Sequence, residues 1–363
     1  MVETLIYSVL TMALVGGFFA AALLVADRFL ADYGICTVSV NEQEELSIEG
    51  GCTVLDALYD NRIFLPSGCG GQGTCGHCKV KVLSRGGPVL PTELPLLTRE
   101  EMSEGVRLAC QVKVKKDIEL WIKEEYFNIR EFEAVVTATR MLTHDMRQIR
   151  LRLVEPEQIE FRPGQYVQVE VPARGGPVHR AYSIASPPQE QNVVELIVRL
   201  IHGGVGSTYL HQVEVGDEVR FTGPYGDFAL SDDPETEIVC VAGGCGIAPV
   251  KCILQHVERT CPDRPFSLFF GVRTQGDVFL REELDERTER NPNFRVCYAL
   301  SEPEEGTEWD GETGFIHLAV DRHLQGERPR QAFLCGPEPM IEATEQVLKS
   351  RGVPEDDIYY DSW

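Results

Sequence analysis

A chain of 363 residues corresponds to two or three domains, and 43% hydrophobic with 25% charged residues describes a folded protein and excludes disorder as its main state. Thirty-four basic residues against 57 acidic ones leave a net charge of −23. No broad cationic surface exists to neutralise a phosphate backbone, which argues against nucleic acid as a partner.

From Leu5 to Ala26 no side chain is charged. Such a run is long enough to cross a hydrocarbon core of about 30 Å at about 1.5 Å per helical residue. The reading is one transmembrane helix within residues 1–30. A cleaved signal or a buried core helix fits less well, because only Glu3 precedes the run and its apolar stretch exceeds a typical signal core. Arg28, the nearby basic residue after the span, places the body of the chain on the cytoplasmic side. The expectation is a single-pass protein of the cell inner membrane.

Residues 34–125 open with two short strands, Cys36 to Val40 and Glu45 to Glu49, and Thr53-Val54-Leu55-Asp56 has the look of a helix start. A small α+β unit follows. Twelve cysteines are too few for a disulfide-stapled chain of this length, and Cys69, Cys75 and Cys78 crowd into a C-x5-C-x2-C loop with Cys110 further on. Four thiolates so arranged can hold a [2Fe–2S] cluster, and the intervening glycines let backbone N–H groups approach the sulfurs. Thiolate ligands must stay reduced until metal arrives, which agrees with a cytoplasmic location. Structural zinc is the alternative, although two well-separated C-x2-C pairs would suit it better. His77 lies between two of the cysteines, but a Rieske centre needs two histidines and the loop has one.

Residues 126–232 alternate in strand fashion over Glu133 to Thr139, Arg147 to Leu153, Tyr166 to Val171, Val193 to Leu200 and Glu218 to Thr222, punctuated by Gly and Pro as in an antiparallel β-barrel. In Arg180-Ala181-Tyr182-Ser183 the strand period puts Arg180 and Tyr182 on one side. Arg offers fixed charge to a pyrophosphate, Tyr a flat ring for stacking and Ser a hydrogen bond to a flavin edge. The turn Gly203-Gly204-Val205-Gly206-Ser207-Thr208 offers a second phosphate contact. Each motif alone is weak; their order gives them weight.

Residues 233–363 change to apolar strands between helix-like segments: Ile238 to Ala242, Ser267 to Phe270, Arg295 to Ala299 and Ala332 to Leu334. That alternation predicts an α/β doubly wound parallel sheet. The first strand runs into Gly243-Gly244-Cys245-Gly246-Ile247-Ala248-Pro249, where small residues and backbone N–H donors precede a helix, a setting for a pyrophosphate. The spacing is not G-x-G-x-x-G, which argues against a standard Rossmann dehydrogenase. Cys335-Gly336-Pro337 follows the last apolar strand at the carboxyl edge of the sheet, and Cys335 by itself could be a small buried hydrophobe.

In this order the motifs resemble the ferredoxin–NADP reductase superfamily fused to a ferredoxin, most closely the family of NADH-oxidising F subunits of sodium-translocating NADH:quinone reductases. The resemblance implies a β-grasp ferredoxin domain with a [2Fe–2S] cluster on Cys69, Cys75, Cys78 and Cys110. It further implies FAD held by Arg180, Tyr182 and Ser183 with Gly206, Ser207 and Thr208, and NADH held by Gly243, Gly244, Gly246, Pro249, Gly336 and Pro337. Ser183, Tyr182 and Cys335 would be the catalytic residues, with Cys335 near the nicotinamide and Trp363 over the flavin ring. NADPH-using relatives carry a Ser-Arg pair after the third strand; here Ser301-Glu302-Pro303-Glu304-Glu305 would repel a 2′-phosphate, which favours NADH. The segment between Val171 and Arg180 is shorter than the insertion that sodium-pump subunits carry there.

The implied activity is hydride transfer from NADH to FAD and then single electrons to the cluster, onward to a quinone or protein acceptor alongside other membrane subunits of a redox complex. Two alternatives stay open. One is an NADH-dependent reductase serving an oxygenase or another low-potential partner. The other is a tethered iron–sulfur interaction protein without NADH activity.

Overall fold

The computed structural model describes residues 2–30, 33–174, 176–304, 306, 308–326 and 328–362, with the side chains of 2–5, 8–9, 23–30 and 362 outside the description. The chain divides into two units, Met1–Asn128 and Ile129–Trp363. Among the described residues no helix is long and apolar enough to cross a membrane. The expected span Leu5 to Ala26 lies in α1 (Val2–Leu30) and falls partly on side chains outside the description.

After α1 the first unit runs β1 (Ile35–Val40), β2 (Glu44–Glu49), α2 (Val54–Asp60), β3 (Lys79–Ser84), α3 (Arg99–Ser103), β4 (Val106–Leu108) and β5 (Ile118–Trp121). The sheet order is β2-β1-β5-β3-β4, with β1 and β5 parallel and the other pairs antiparallel. Alternation decides the inner face: Val38, Val40, Val80, Leu108, Ile118 and Leu120 are buried and close over Val54 and Leu58 of α2. α2 starts where expected, because Thr53 and Asp56 cap each other's backbone N–H.

A buried ion pair ties the unit together. Glu93 is fully buried and accepts from Arg107 Nη2 at 2.6 Å, from Arg107 Nε at 2.9 Å and from the Leu108 and Leu90 N–H groups at 2.9 and 2.8 Å. Arg107 also donates to the carbonyls of Gly86 and Gly87. Residues 86–93 are thereby strapped across the strand that leads into Cys110.

The second unit contains two sheets. β6 (Arg130–Met141), β7 (Met146–Glu155), β8 (Tyr166–Val171), β9 (Val178–Ser183), β10 (Val193–Arg199) and β11 (Glu218–Tyr225) pair antiparallel in the order β10-β7-β6-β11-β8-β9, and α4 (Val205–Gln212) joins β10 to β11. The edges meet just past β9, where Ile184 bridges Leu196 and the Ala185 N–H donates to the Glu195 carbonyl. The sheet thus curls into a barrel joined at one end by a single bridge, with β9 and β10 as its edge strands.

The other sheet takes β12 (Glu237–Gly243), β13 (Phe266–Val272), β14 (Phe294–Leu300), β15 (Glu312–Thr313), β16 (Arg330–Gly336) and β17 (Ile358–Ser362), all parallel, in the order β15-β14-β13-β12-β16-β17. Helices α5 (Ile247–Thr260), α6 (Arg281–Arg290), α7 (Ile316–His323) and α8 (Glu338–Ser350) connect the strands. The winding reverses between β12 and β16, the crevice where such sheets bind ligands. Both of the unit's sheets feed one core, in which Met146, Ala185, Ile197 and Phe228 pack with Ile247, Val250, Leu268 and Phe333.

Breaking a buried pair by removing one partner costs about 3–5 kcal/mol. Glu93→Gln is therefore expected to destabilise the first unit by that order, read as a lower denaturant midpoint. Burial opposes ionisation of Glu93, but Arg107 and the two backbone donors outweigh it and hold the carboxyl below its ordinary 4.5. Its contribution is then present above pH 4.5 and lost as pH falls through the depressed folded value, so the difference between wild type and Glu93→Gln should shrink on acidification.

Candidate functional site

The cysteine loop joins α2 to β3. Gly73 and Gly76 sit at φ of +71° and +73°, a left-handed conformation that a Cβ would strain, and the loop coils so that its side chains converge. Cys69 and Cys75 Sγ are 3.4 Å apart, and Cys78, just before β3, lies beside Cys110, two residues past the end of β4. The four thiols thus form two pairs, a donor set suited to two metal ions with two thiolates each. Within each pair the neighbouring thiol favours ionisation of one member: Cys75 lowers Cys69 and Cys78 lowers Cys110 below the ordinary thiol range. The same contacts, together with burial, push Cys75 and Cys78 up. His77 is exposed.

In the second unit Arg180 and Tyr182 share one face of β9, and the start of α4 rests on that face. A Cβ on Gly206 would lie 2.6 Å from Tyr182 Oη and 2.8 Å from Arg180 Cγ, so only glycine lets the first turn of α4 come this close. The first turn of a helix leaves N–H groups unpaired, and here Val205, Gly206 and Ser207 supply them. The Ser207 hydroxyl is turned inward, accepting from the Ile201 N–H at 3.0 Å, and the Thr208 N–H donates to Gly204. These two residues shape the turn. Burial pushes the Tyr182 hydroxyl up, so it stays protonated.

Ser183 ends β9, and its hydroxyl donates to Asp361 Oδ2 of β17 at 3.2 Å. The two sheets meet at this point. Alongside lies a cavity of about 430 Å³ at the carboxyl ends of β12, β13, β14 and β16, lined by Gly243, Gly244, Cys245, Gly271, Ser301 and Pro337 and, from the barrel, by Thr143, Met146 and Arg199. That volume suits a small-molecule cofactor. Met340 packs closely on the glycines here: a Cβ on Gly243 would lie 2.8 Å from Met340 Sδ, and one on Gly336 2.4 Å from Met340 Cε.

Gly246 and Pro249 are buried at the start of α5, behind the Gly243–Gly244 turn. Cys335 lies at the end of β16 opposite Asp361, fully buried in the shared core rather than on the cavity wall, and burial holds it as a thiol. Cys245 lines the cavity in its place, its thiol pushed up to about 11 by burial. Trp363 lies outside the described residues. Sequence reasoning missed Arg199, Arg273 and Asp361. Arg199 is pinned by Asp145 at 3.0 Å and ends β10 directly after the apolar run Leu196-Ile197-Val198, a signal that was available.

Three family models match the chain: a 2Fe-2S iron-sulfur cluster binding domain over 34–115, an oxidoreductase FAD-binding domain over 133–230 and an oxidoreductase NAD-binding domain over 240–346. The F subunit of the Na(+)-translocating NADH-quinone reductase from Neisseria gonorrhoeae is 33% identical over 95% of both chains. Its counterpart from Pseudomonas aeruginosa is 33% identical over 94% of both. Among solved structures, the Amycolatopsis cytochrome P450 reductase GcoB superposes with a TM-score of 0.72 at 31% identity, covering 90% of this chain and 98% of that one. The ferredoxin reductase in carbazole 1,9a-dioxygenase gives 0.70 at 29% identity, covering 91% and 98%.

Gly206→Val would drive the start of α4 away from Arg180 and Tyr182. The expected outcome is FAD binding weakened at least tenfold, measured by fluorescence titration of the flavin-free protein, with the visible bands of the cluster unchanged. FAD affinity equal to wild type would mean that this contact does not shape the flavin site.

Proposed function

The chain belongs to the family of F subunits of Na(+)-translocating NADH-quinone reductases, and from that premise we propose that it is the membrane-anchored, NADH-oxidising subunit of a quinone reductase. It is an NADH oxidoreductase with FAD-binding, NAD-binding and 2Fe-2S modules. When bound, FAD supplies the conversion from paired to single electron transfer and the cluster supplies one-electron conduction.

The observation that carries the reading is the junction of β9 and β17 at Ser183 and Asp361, with the cavity beside it. Arg180 and the α4 N–H groups would hold the FAD pyrophosphate, Tyr182 would stack, and Ser183, oriented by Asp361, would hydrogen-bond the flavin edge. Trp363 would cover the ring. Gly243, Gly244 and Pro337 would receive NADH, with Gly246, Pro249, Cys335 and Gly336 setting the wall from behind. Cys69 with Cys75 and Cys78 with Cys110 would each hold one iron. No general base is required; the side chains align two rings and exclude water. The domains would run over 34–125, 126–232 and 233–363.

The anchor is part of the proposal. The 29 residues of α1 span about 44 Å at 1.5 Å each, and Leu10, Met12, Leu14, Phe18 and Phe19 are exposed along it. Residues 1–30 would cross the inner membrane once, with both units on the cytoplasmic side beside other subunits of the complex. A second reading, electron delivery to an oxygenase, is favoured by the likeness to GcoB and to the carbazole dioxygenase reductase.

Anaerobic NADH is expected to bleach the flavin and cluster bands, and NADPH to leave them nearly unchanged. Glu302→Arg should raise kcat/KM for NADPH about tenfold, about 1.4 kcal/mol. Deleting residues 1–30 should leave NADH:ferricyanide turnover intact and abolish membrane association and quinone reduction. Detergent-free, full-length protein that reduces a soluble ferredoxin or oxygenase but no quinone would decide for the second reading. No bleaching by either nucleotide, with cofactors bound, would sink both.

A further inference from the structure

Next to Cys110 stands a side chain that the electron path described above does not use. Gln111 Nε2 lies 3.5 Å from Cys110 Sγ and 3.4 Å from the Cys110 carbonyl. Its other end is held, since Thr92 Oγ1 donates to Gln111 Oε1 at 2.9 Å. The cluster loop makes room for this amide: a Cβ on Gly73 would lie 2.6 Å from Gln111 Nε2. Thr92 in turn neighbours Glu93, whose buried carboxylate grips Arg107 and the Leu108 N–H, so the strap that carries Thr92 is fastened to the segment that carries Gln111.

We propose that Gln111 sets the reduction potential of the [2Fe–2S] cluster by donating to the Cys110 thiolate, and that Thr92 is the positioning residue that points the amide N–H₂ at the sulfur. Reduction adds one electron to the cluster, delivered from NADH through FAD, and makes or breaks no bond. The added negative charge spreads onto the ligand sulfurs, so an N–H donor stabilises the reduced cluster more than the oxidised one and raises its potential. Only one end of an amide can do this. Turned over, Oε1 would face the thiolate and the Cys110 carbonyl, both acceptors, and lower the potential; those two acceptors select the N–H₂ orientation, and the Thr92 hydroxyl, which donates to Oε1, holds the side chain there. The inference rests on Cys110 being a cluster ligand and adds what tunes that ligand.

The test is an anaerobic redox titration of the full-length protein with its cofactors, followed by the EPR signal of the reduced cluster, on wild type, Gln111→Met, Gln111→Glu and Thr92→Val. Gln111→Met keeps the length and removes the donor; it should lower the cluster's electron affinity about tenfold, a midpoint shift of about 59 mV for one electron. Thr92→Val should lower it about threefold, about 28 mV on the same scale, and Gln111→Glu more than Gln111→Met. The FAD midpoint should stay in place in all three. Protein carrying ¹⁵Nε-glutamine should show a ¹⁵N hyperfine coupling to the reduced cluster that Gln111→Met abolishes.

An unchanged cluster midpoint in Gln111→Met at wild-type iron content overturns the proposal. Should Gln111→Met lose its cluster, Thr92→Val decides, because it keeps the glutamine: an unchanged midpoint there, with no ¹⁵N coupling in wild type, overturns it equally. Wild-type protein with no [2Fe–2S] signal would remove the ligand assignment itself, a different failure from an intact signal whose potential ignores Gln111.

Discussion

Hydride transfer is demanding about distance, since donor and acceptor carbons must come within about 3–3.5 Å in the reacting geometry. The rest of the second unit depends on meeting that demand. A barrel and a parallel sheet joined only by a linker would wander by more than this, and here they share a core instead. Met146, Ala185, Ile197 and Phe228 from the barrel side pack against Ile247, Val250 and Leu268 of the nucleotide side, and Phe228 stands 5.4 Å from Phe333 in ring contact. Polar groups reinforce the same seam: Lys251 of α5 reaches Glu195 of β10 at 2.6 Å with both side chains largely buried, and Ser183 meets Asp361 at the mouth of the site. A buried pair of this kind discriminates strongly against mis-docking, because separating its partners leaves a charge uncompensated.

The chain's division between Asn128 and Ile129 falls between two kinds of chemistry. Everything that must align two flat rings lies after it, inside one core. What conducts electrons singly lies before it, in a unit held together by its own sheet and by the Glu93–Arg107 pair. Cluster ligation makes a different demand from ring alignment, namely four sulfurs at fixed mutual distances and a controlled environment around them. The left-handed glycines of the loop meet the first demand and the strap over residues 86–96 meets the second, with Leu96 against Gly76 and Thr92 on Gln111.

Much of this was legible because it is local. Tyr166–Val171 is read from its own alternation, the α2 start from Thr53 and Asp56, and the cysteine loop from spacing. The strands over Lys79–Ser84, Val106–Leu108 and Ile118–Trp121 were not foreseen, because runs of three to six residues gain their identity only from partners far along the chain. β17 hides for the same reason: it pairs with β16 across the whole of α8. Glu93 reads in sequence as an ordinary exposed acid, and nothing local announces that Arg107 waits to bury it. At the site, the motifs located the right segments but not which atoms face the ligand space. Ser207 spends its hydroxyl on Ile201, and Cys335 sits behind the wall that Cys245 lines, because a motif fixes position along a strand and the packing behind it fixes which way the side chain is used.

The identity of the electron acceptor has to be written elsewhere in the molecule. The relatives named for quinone reduction and those named for P450 or dioxygenase service align over nearly the whole chain at similar identity, so the shared modules cannot by themselves distinguish the two outlets. Nicotinamide oxidation is common to both and constrains the second unit in both. On the proposed reading, discrimination would be left to the surface of the first unit and to α1, along which Leu10, Leu14, Phe18 and Phe19 are exposed. A helix of that composition would confine the first unit to the plane where a quinone or a membrane subunit is met, and confinement raises the effective concentration of such acceptors over any soluble protein. In the proposed arrangement the outlet would be chosen by where the cluster is held, with the redox machinery left unchanged.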